Sequence, residues 1–181
     1  TPQTVTVRVP IEARLGFKDV SIKVALKGDV ASGYWVSNIV VSPSTITLAG
    51  SPDTLDTLGG LISTEVLDIQ DAKQDIVKRT GVILPDGVSA VNVQSVLVLI
   101  DVSPITGGQT IQRSPIVRGL ERGLIASVSP ATVDIILSGP LPVLQALKLA
   151  DVQVIVDLVG KGVGKFKVTP VLVKPDSLKV E

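Results

Sequence analysis

A chain of 181 residues with no His and no Cys lacks the two side chains most often used for chemistry at neutral pH. General acid–base catalysis draws on a group that titrates near the working pH, usually His, and thiolate nucleophiles and thiolate metal sites need Cys. What remains for nucleophilic work is a serine activated by a lysine, and Ser42 and Ser129 are the serines that recur in matching surroundings. Each precedes a proline, Pro43 or Pro130. That marks a corner between extended segments, where a hydroxyl is expected to cap backbone rather than attack a substrate.

Any metal would fall to carboxylates, and Asp68, Asp71 and Asp75 lie near one another. The alternating ligands, central Gly and distal Glu of a calcium loop are absent, and Asp68 recurs as Asp157 after a β-branched run. A turn at a strand end is the expectation for both. Gly160-Lys161-Gly162-Val163-Gly164-Lys165 lacks the Gly-Lys-Ser/Thr order and the following helix of a phosphate loop, and reads as a hairpin turn. The glycines at 28 and 33 open no helix in the dinucleotide-binding pattern. The sequence therefore predicts no catalytic residue, no metal ligand and no cofactor.

Partner classes narrow in the same way. Lys plus Arg and Asp plus Glu number 17 each, so no net charge draws the chain to nucleic acid or an anionic membrane surface, and Phe17, Tyr34, Trp35 and Phe166 are too few and scattered to stack single strands. Tyr34 and Trp35 are adjacent in a predicted strand, so they face opposite sides. If Tyr34 points inward, Trp35 points outward, and exposed Trp is enriched in binding hot spots. Trp35 is the candidate partner contact, with packing against the neighbouring repeat as the alternative. Arg118, Glu121 and Arg122 read as a solvated face.

The elements that would position these residues are strands. The apolar 45% of the chain is mostly Val, Ile and Leu, which favours β structure. Alternation at Val5, Val7, Val9 and Ile11 predicts a leading strand ending near Pro10, and Val20, Ile22, Val24 and Leu26 predict one unbroken strand up to Gly28. A third strand runs from the Gly28–Gly33 loop to the corner at Pro43. Ser51-Pro52-Asp53 has the punctuation of a helix start, giving a one- or two-turn helix with Leu55 and Leu58 inward. Strands follow at Ile62–Ile69, Ile76–Leu84 and Val88–Val93, with Pro85 expected at the second position of a turn. Val96–Ile100 is continuously apolar and reads as covered on both faces. Pro104–Gln109, with two glycines, reads as a linker.

The pattern then replays. Val41–Gly50 returns as Val128–Gly139, and matched residues run at offsets of 91 (Val5 and Val96, Gly28 and Gly119), 87 (Ser42 and Ser129), 89 (Gly50 and Gly139, Asp68 and Asp157) and 90 (Pro85 and Pro175). Strands held in phase with length changes confined to loops indicate a duplicated β domain. The expectation is a mainly β fold of two tandem domains, each with at most one short helix. Residues 1–104 form the first repeat, with an extra leading strand at 5–11, and residues 105–181 the second, lacking its closing strand and so exposing an open edge. No uncharged run long enough to span a bilayer escapes Pro or Gly, no signal peptide is evident, and the absence of any Met predicts a piece of a longer protein.

Gly33-Tyr34, Val41-Ser42-Pro43, the Thr-to-Gly β run, a Leu-x-x-Leu helix turn, an Asp ending a strand and a Pro-Asp turn, taken in that order twice, resemble the YbbR-like domain family. The second copy carries this most plainly in Leu137-Ser138-Gly139-Pro140-Leu141-Pro142-Val143-Leu144 and Val156-Asp157-Leu158. The resemblance covers essentially the whole chain. It implies a β-rich, non-catalytic module, repeated behind an N-terminal membrane helix on the outer side of a bacterial membrane. Some members regulate a membrane-bound diadenylate cyclase, which makes cyclic di-AMP. The function expected is thus an extracytoplasmic module of a membrane-anchored protein that binds and regulates such a cyclase. The alternative is a cell-envelope spacer, adhesion or wall-binding repeat, in which one repeat could be replaced by an unrelated domain of equal reach.

Overall fold

The computed structural model describes residues 8–9, 14–91 and 93–181. The leading strand expected at 5–11 lies outside the described residues except for Arg8 and Val9, which carry no strand. The chain forms two compact units, the first built from residues up to Val30 and Val36–Val102, the second from Ala31–Trp35 and Ser103–Glu181. Both are mainly β.

In the first unit β1 (Gly16–Lys23), β4 (Thr45–Gly50), β5 (Leu61–Ser63) and β8 (Val88–Ala90) form a sheet in the order β5-β1-β4-β8. β1 and β4 are antiparallel with Val20 opposite Ile46, and β5 runs parallel to β1. Val20, Ile22, Ile46, Leu48 and Ile62 face the core, as the period of two requires. α1 (Pro52–Thr57) covers one end with Leu55 buried, and the Ser51 hydroxyl caps it by accepting from the Thr54 amide at 3.2 Å.

The strand expected to run unbroken to Gly28 is instead two. After β1 the chain changes partner, and β2 (Leu26–Lys27) pairs in parallel with β6 (Leu67–Asp68). Thr64, fully buried, sits at the switch. Its Oγ1 accepts the Ala25 amide at 3.1 Å and donates to the Glu65 carbonyl at 2.8 Å. The same switch divides the strand expected at Ile62–Ile69. Alternation reports which side faces inward and is blind to a change of partner.

A third sheet has the order β3-β9-β7, from β3 (Tyr34–Ser42), β9 (Val96–Pro104) and β7 (Ile76–Thr80). Val96, Val98 and Ile100 are completely buried, whereas Leu97 keeps 41% of its surface. The run expected to be covered on both faces is therefore covered on one, as a central antiparallel strand allows. Pro85 takes the first turn position and not the second, because the Val88 amide donates to the Pro85 carbonyl and Gly87 supplies the positive φ of 78°.

The second unit starts where a linker was expected. β10 (Thr106–Arg113) runs straight through Gly107 and Gly108, held by an eight-residue antiparallel ladder with β12 (Val133–Pro140). Backbone pairing along the whole strand outweighs the poor strand propensity of two glycines. β15 (Lys179–Val180) pairs on the far side of β12, and a separate sheet has the order β11-β13-β14, from β11 (Ile116–Arg118), β13 (Gln153–Asp157) and β14 (Val171–Val173). α2 (Leu141–Gln145) and a single 3-10 turn at Leu149–Asp151 complete the unit. Ile135, Leu137, Leu144, Val152, Val154 and Leu178 form its core.

The duplication is visible in register. Leu26 opposite Leu67 and Lys27 opposite Asp68 become Val117 opposite Val156 and Arg118 opposite Asp157. The isolated bridge between Thr64 and Val82 becomes Val154 opposite Leu172. The replay is incomplete, however. Residues 124–129 and 165–169, which match β3 and β7, form no strand.

Candidate interaction surface

Each unit has a loop bounded by two glycines, and hydrogen bonds fix it in the same way. In the first unit the Ile69 amide donates to the Lys27 carbonyl, the Asp71 amide to the Asp29 carbonyl, and the Asp68 carboxylate accepts the Gln70 amide at 2.8 Å. In the second the Leu158 amide donates to the Arg118 carbonyl and the Asp157 carboxylate accepts the Val159 amide at 2.9 Å. Both aspartates close a local turn at a strand end. Gly119 has φ of 74°, and a Cβ there would stand 2.8 Å from the Val159 amide nitrogen, so no other residue fits.

Residues 31–35 belong to the second unit. The Tyr34 amide donates to Ala31 across a turn, and the Ile105 amide donates to the Gly33 carbonyl at 2.8 Å. Tyr34 is half-buried and Trp35 keeps 52% of its surface exposed. Trp35 follows that turn directly, as the second residue of β3. The turn of Glu121 to Leu124 repeats that of Ala31 to Tyr34, so Ile125 takes the place of Trp35, and it is 97% exposed. The sequence reading missed Ile125, although the 90-residue spacing of Gly33 and Gly123 would have found it.

The residues weighed for chemistry are spread through the scaffold. Ser42 and Ser129 are exposed at the two corners, each followed by a cis peptide bond to proline. Among the described residues neither hydroxyl makes a hydrogen bond, so the expected backbone cap is not formed. The Asp75 carboxylate accepts the Val102 amide at 2.8 Å and Asp71 takes φ of 56°, so the three aspartates serve separate backbone positions. Among the described residues no group of three acidic side chains is placed to hold a metal. Gly160 to Lys165 makes no tight hairpin. The Lys161 amide closes a turn on the Leu158 carbonyl, and the chain then runs on to β14 with the Lys161 ammonium 5.3 Å from the centre of the Phe166 ring. Arg118, Glu121 and Arg122 are exposed.

A cavity of about 800 Å³ opens in the second unit between residues 120–129 and 161–168, with Val156 and Leu158 in its wall.

Residues 20–102 match the family described as YbbR-like protein. The CdaA regulatory protein CdaR of Bacillus subtilis (strain 168) is 32% identical over 101 residues, which cover 56% of this chain and 20% of that protein. The chain thus spans about a fifth of that relative's length. A solution structure of a protein from Streptococcus thermophilus is 27% identical, covering 52% of this chain and 91% of the other, with a TM-score of 0.41. The crystal structure of a YbbR-like protein from Streptococcus pneumoniae is 14% identical, covering 84% of this chain and 78% of the other, with a TM-score of 0.33.

Proposed function

We propose, from the premise that the chain is a YbbR-like protein through residues 20–102, that it is a non-catalytic regulatory module of a membrane-anchored bacterial protein. It works by binding another protein, and the partner is a membrane diadenylate cyclase. The observation that carries this reading is the 32% identity over 101 residues with a protein named as the regulator of CdaA. The identity of the partner with a diadenylate cyclase follows the family resemblance, as does an extracytoplasmic location. Among the described residues no helix is long and apolar enough to cross a membrane, so anchorage is assigned to a helix outside this chain.

The contact is assigned to Trp35. An indole half out of the surface on β3, directly after a hydrogen-bonded turn, offers the rigid apolar anchor on which binding energy concentrates. The test is to tag the full-length protein in its own cells, recover what co-purifies, and measure cyclic di-AMP with the protein present, deleted, and carrying Trp35→Ala. Co-purification of the cyclase and a changed cyclic di-AMP level on deletion are expected. Unchanged cyclic di-AMP together with no cyclase in the eluate would sink the regulatory reading.

A further inference from the structure

In the first unit the β3-β9-β7 sheet has one face in the core and one left bare. Val98 and Ile100 are completely buried and Val102 nearly so, so Leu97, Leu99 and Asp101 of β9 point the other way. Residues directly opposite in an antiparallel pair share a face. Val77, opposite Leu99, and Arg79, opposite Leu97, therefore lie on that outer face of β7. On β3 the Asn38 side-chain amide donates to the Asp101 carboxylate at 3.2 Å, which puts Asn38 on the same face and Val40, two residues on, beside it. Val77 is 63% exposed, Val40 44% and Leu97 41%. A solvated antiparallel face ordinarily carries polar side chains, yet the middle of this one is Val and Leu.

The charges on this face are separated. Arg79 stands at one end of β7, exposed, and among the described residues its guanidinium has no hydrogen bond or ion pair. Asp101 stands at the opposite end, joined there by the exposed Asp75, whose carboxylate accepts the Val102 amide at 2.8 Å. Glu65, near the Arg79 end, is bonded to Thr80, which points to the core. The face is thus positive at one end, apolar in the middle and negative at the other, which makes it complementary to itself when turned end for end. We propose that this face is the interface of a homodimer, with a second copy of the chain as its occupant. The two-fold axis lies in the interface and runs across the strands, because an axis along them would set like charges over like at both ends. Sheets packed face to face sit about 10 Å apart at about −30°. Val77, Leu97 and Leu99 of both copies fill that gap, and Arg79 of one copy meets the end carrying Asp75 and Asp101 of the other. Each contact occurs twice, as in any isologous pair. The patch is small, so the dimer is weak.

The experiment is sedimentation velocity on the whole chain from low micromolar to several hundred micromolar, beside Val77→Asp, Arg79→Glu, Asp101→Arg and the last two combined. Far-UV circular dichroism reports whether each variant keeps its fold. The intact chain should pass from monomer to dimer and stop there. Val77→Asp and each single reversal should weaken association about tenfold or more, since every altered contact occurs twice. The double reversal restores opposite charges and should dimerise like the parent. Mixing the Arg79→Glu chain with the Asp101→Arg chain should give a dimer stronger than either forms alone, a rescue that damage to the fold would not produce. Amide-resolved NMR of the intact chain on dilution should move Val77, Leu97 and Leu99 whatever the variants do. The proposal is overturned if the intact chain is monomeric throughout, if folded single reversals associate like the parent, if neither the double reversal nor the mixture restores the dimer, or if the dilution shifts map elsewhere.

Discussion

Replacing Thr64 by Val tests whether one hydroxyl holds the change of partner between β1 and β2. The side chain is fully buried, accepts from the Ala25 amide at 3.1 Å and donates to the Glu65 carbonyl at 2.8 Å. Val keeps the shape and removes both bonds. Leaving the partly buried Ala25 amide unpaired costs about 1–3 kcal/mol, and a buried methyl in place of the hydroxyl returns about 0.8 kcal/mol. The net loss should be about 0.2–2.2 kcal/mol. For a unit of roughly 100 residues each kilocalorie lowers the melting temperature by about 4–8 °C, so a drop of about 1–18 °C is expected. Hydrogen exchange localises it: the Ala25 amide should lose protection by about one order of magnitude or more, while the Ile22 amide, bonded to the Ser44 carbonyl at 2.9 Å, should change only with global stability. A variant that melts at or above the parent, with Ala25 still protected, would refute the assignment of the switch to Thr64.

Other perturbations separate scaffold from surface. Trp35→Ala should change stability by less than about 1 kcal/mol, since half its surface is already in water, yet weaken partner binding by about 2 kcal/mol or more, as read by calorimetry against the purified partner. Gly139→Ala would place a Cβ 2.7 Å from Leu178 Cδ2 and 2.9 Å from the Ser177 carbonyl. A loss of about 2 kcal/mol or more is expected in urea titration, with the β15 amides exchanging first. Ser51→Ala removes the hydroxyl that caps α1 and should cost about 1 kcal/mol in the same titration, with Ser51→Gly costing only a few tenths.

What was legible in the sequence was whatever depends on local pattern. The alternation of Val20 with Ile22 placed them in the core, Ser51-Pro52 started a helix, and the recurrence of Gly50 as Gly139 marked matching positions near the ends of β4 and β12. What was not legible depends on partners distant in the chain. No local signal tells that Ala25 must turn to Thr64, that Gly107 and Gly108 will be held as strand by β12, or that Leu97 will lie at a surface while Val96 and Val98 do not. The candidate contact divides the same way. Trp35 stood out by residue type, whereas Ile125 acquires meaning only once the turns of Ala31–Tyr34 and Glu121–Leu124 are seen to coincide.

The two units also separate what a duplicated sequence encodes from what a neighbouring strand supplies. The sheets that contain β4 and β12 have the same central pairing, with Leu48 and Leu137 both completely buried, because all of their strands come from within one repeat. The sheet around β9 has no counterpart among the described residues of the second unit. Residues 124–129 and 165–169 have the right positions but no strand between them, and a ladder needs both sides. Strand propensity in those segments is therefore insufficient alone, as expected when cross-strand packing sets β stability.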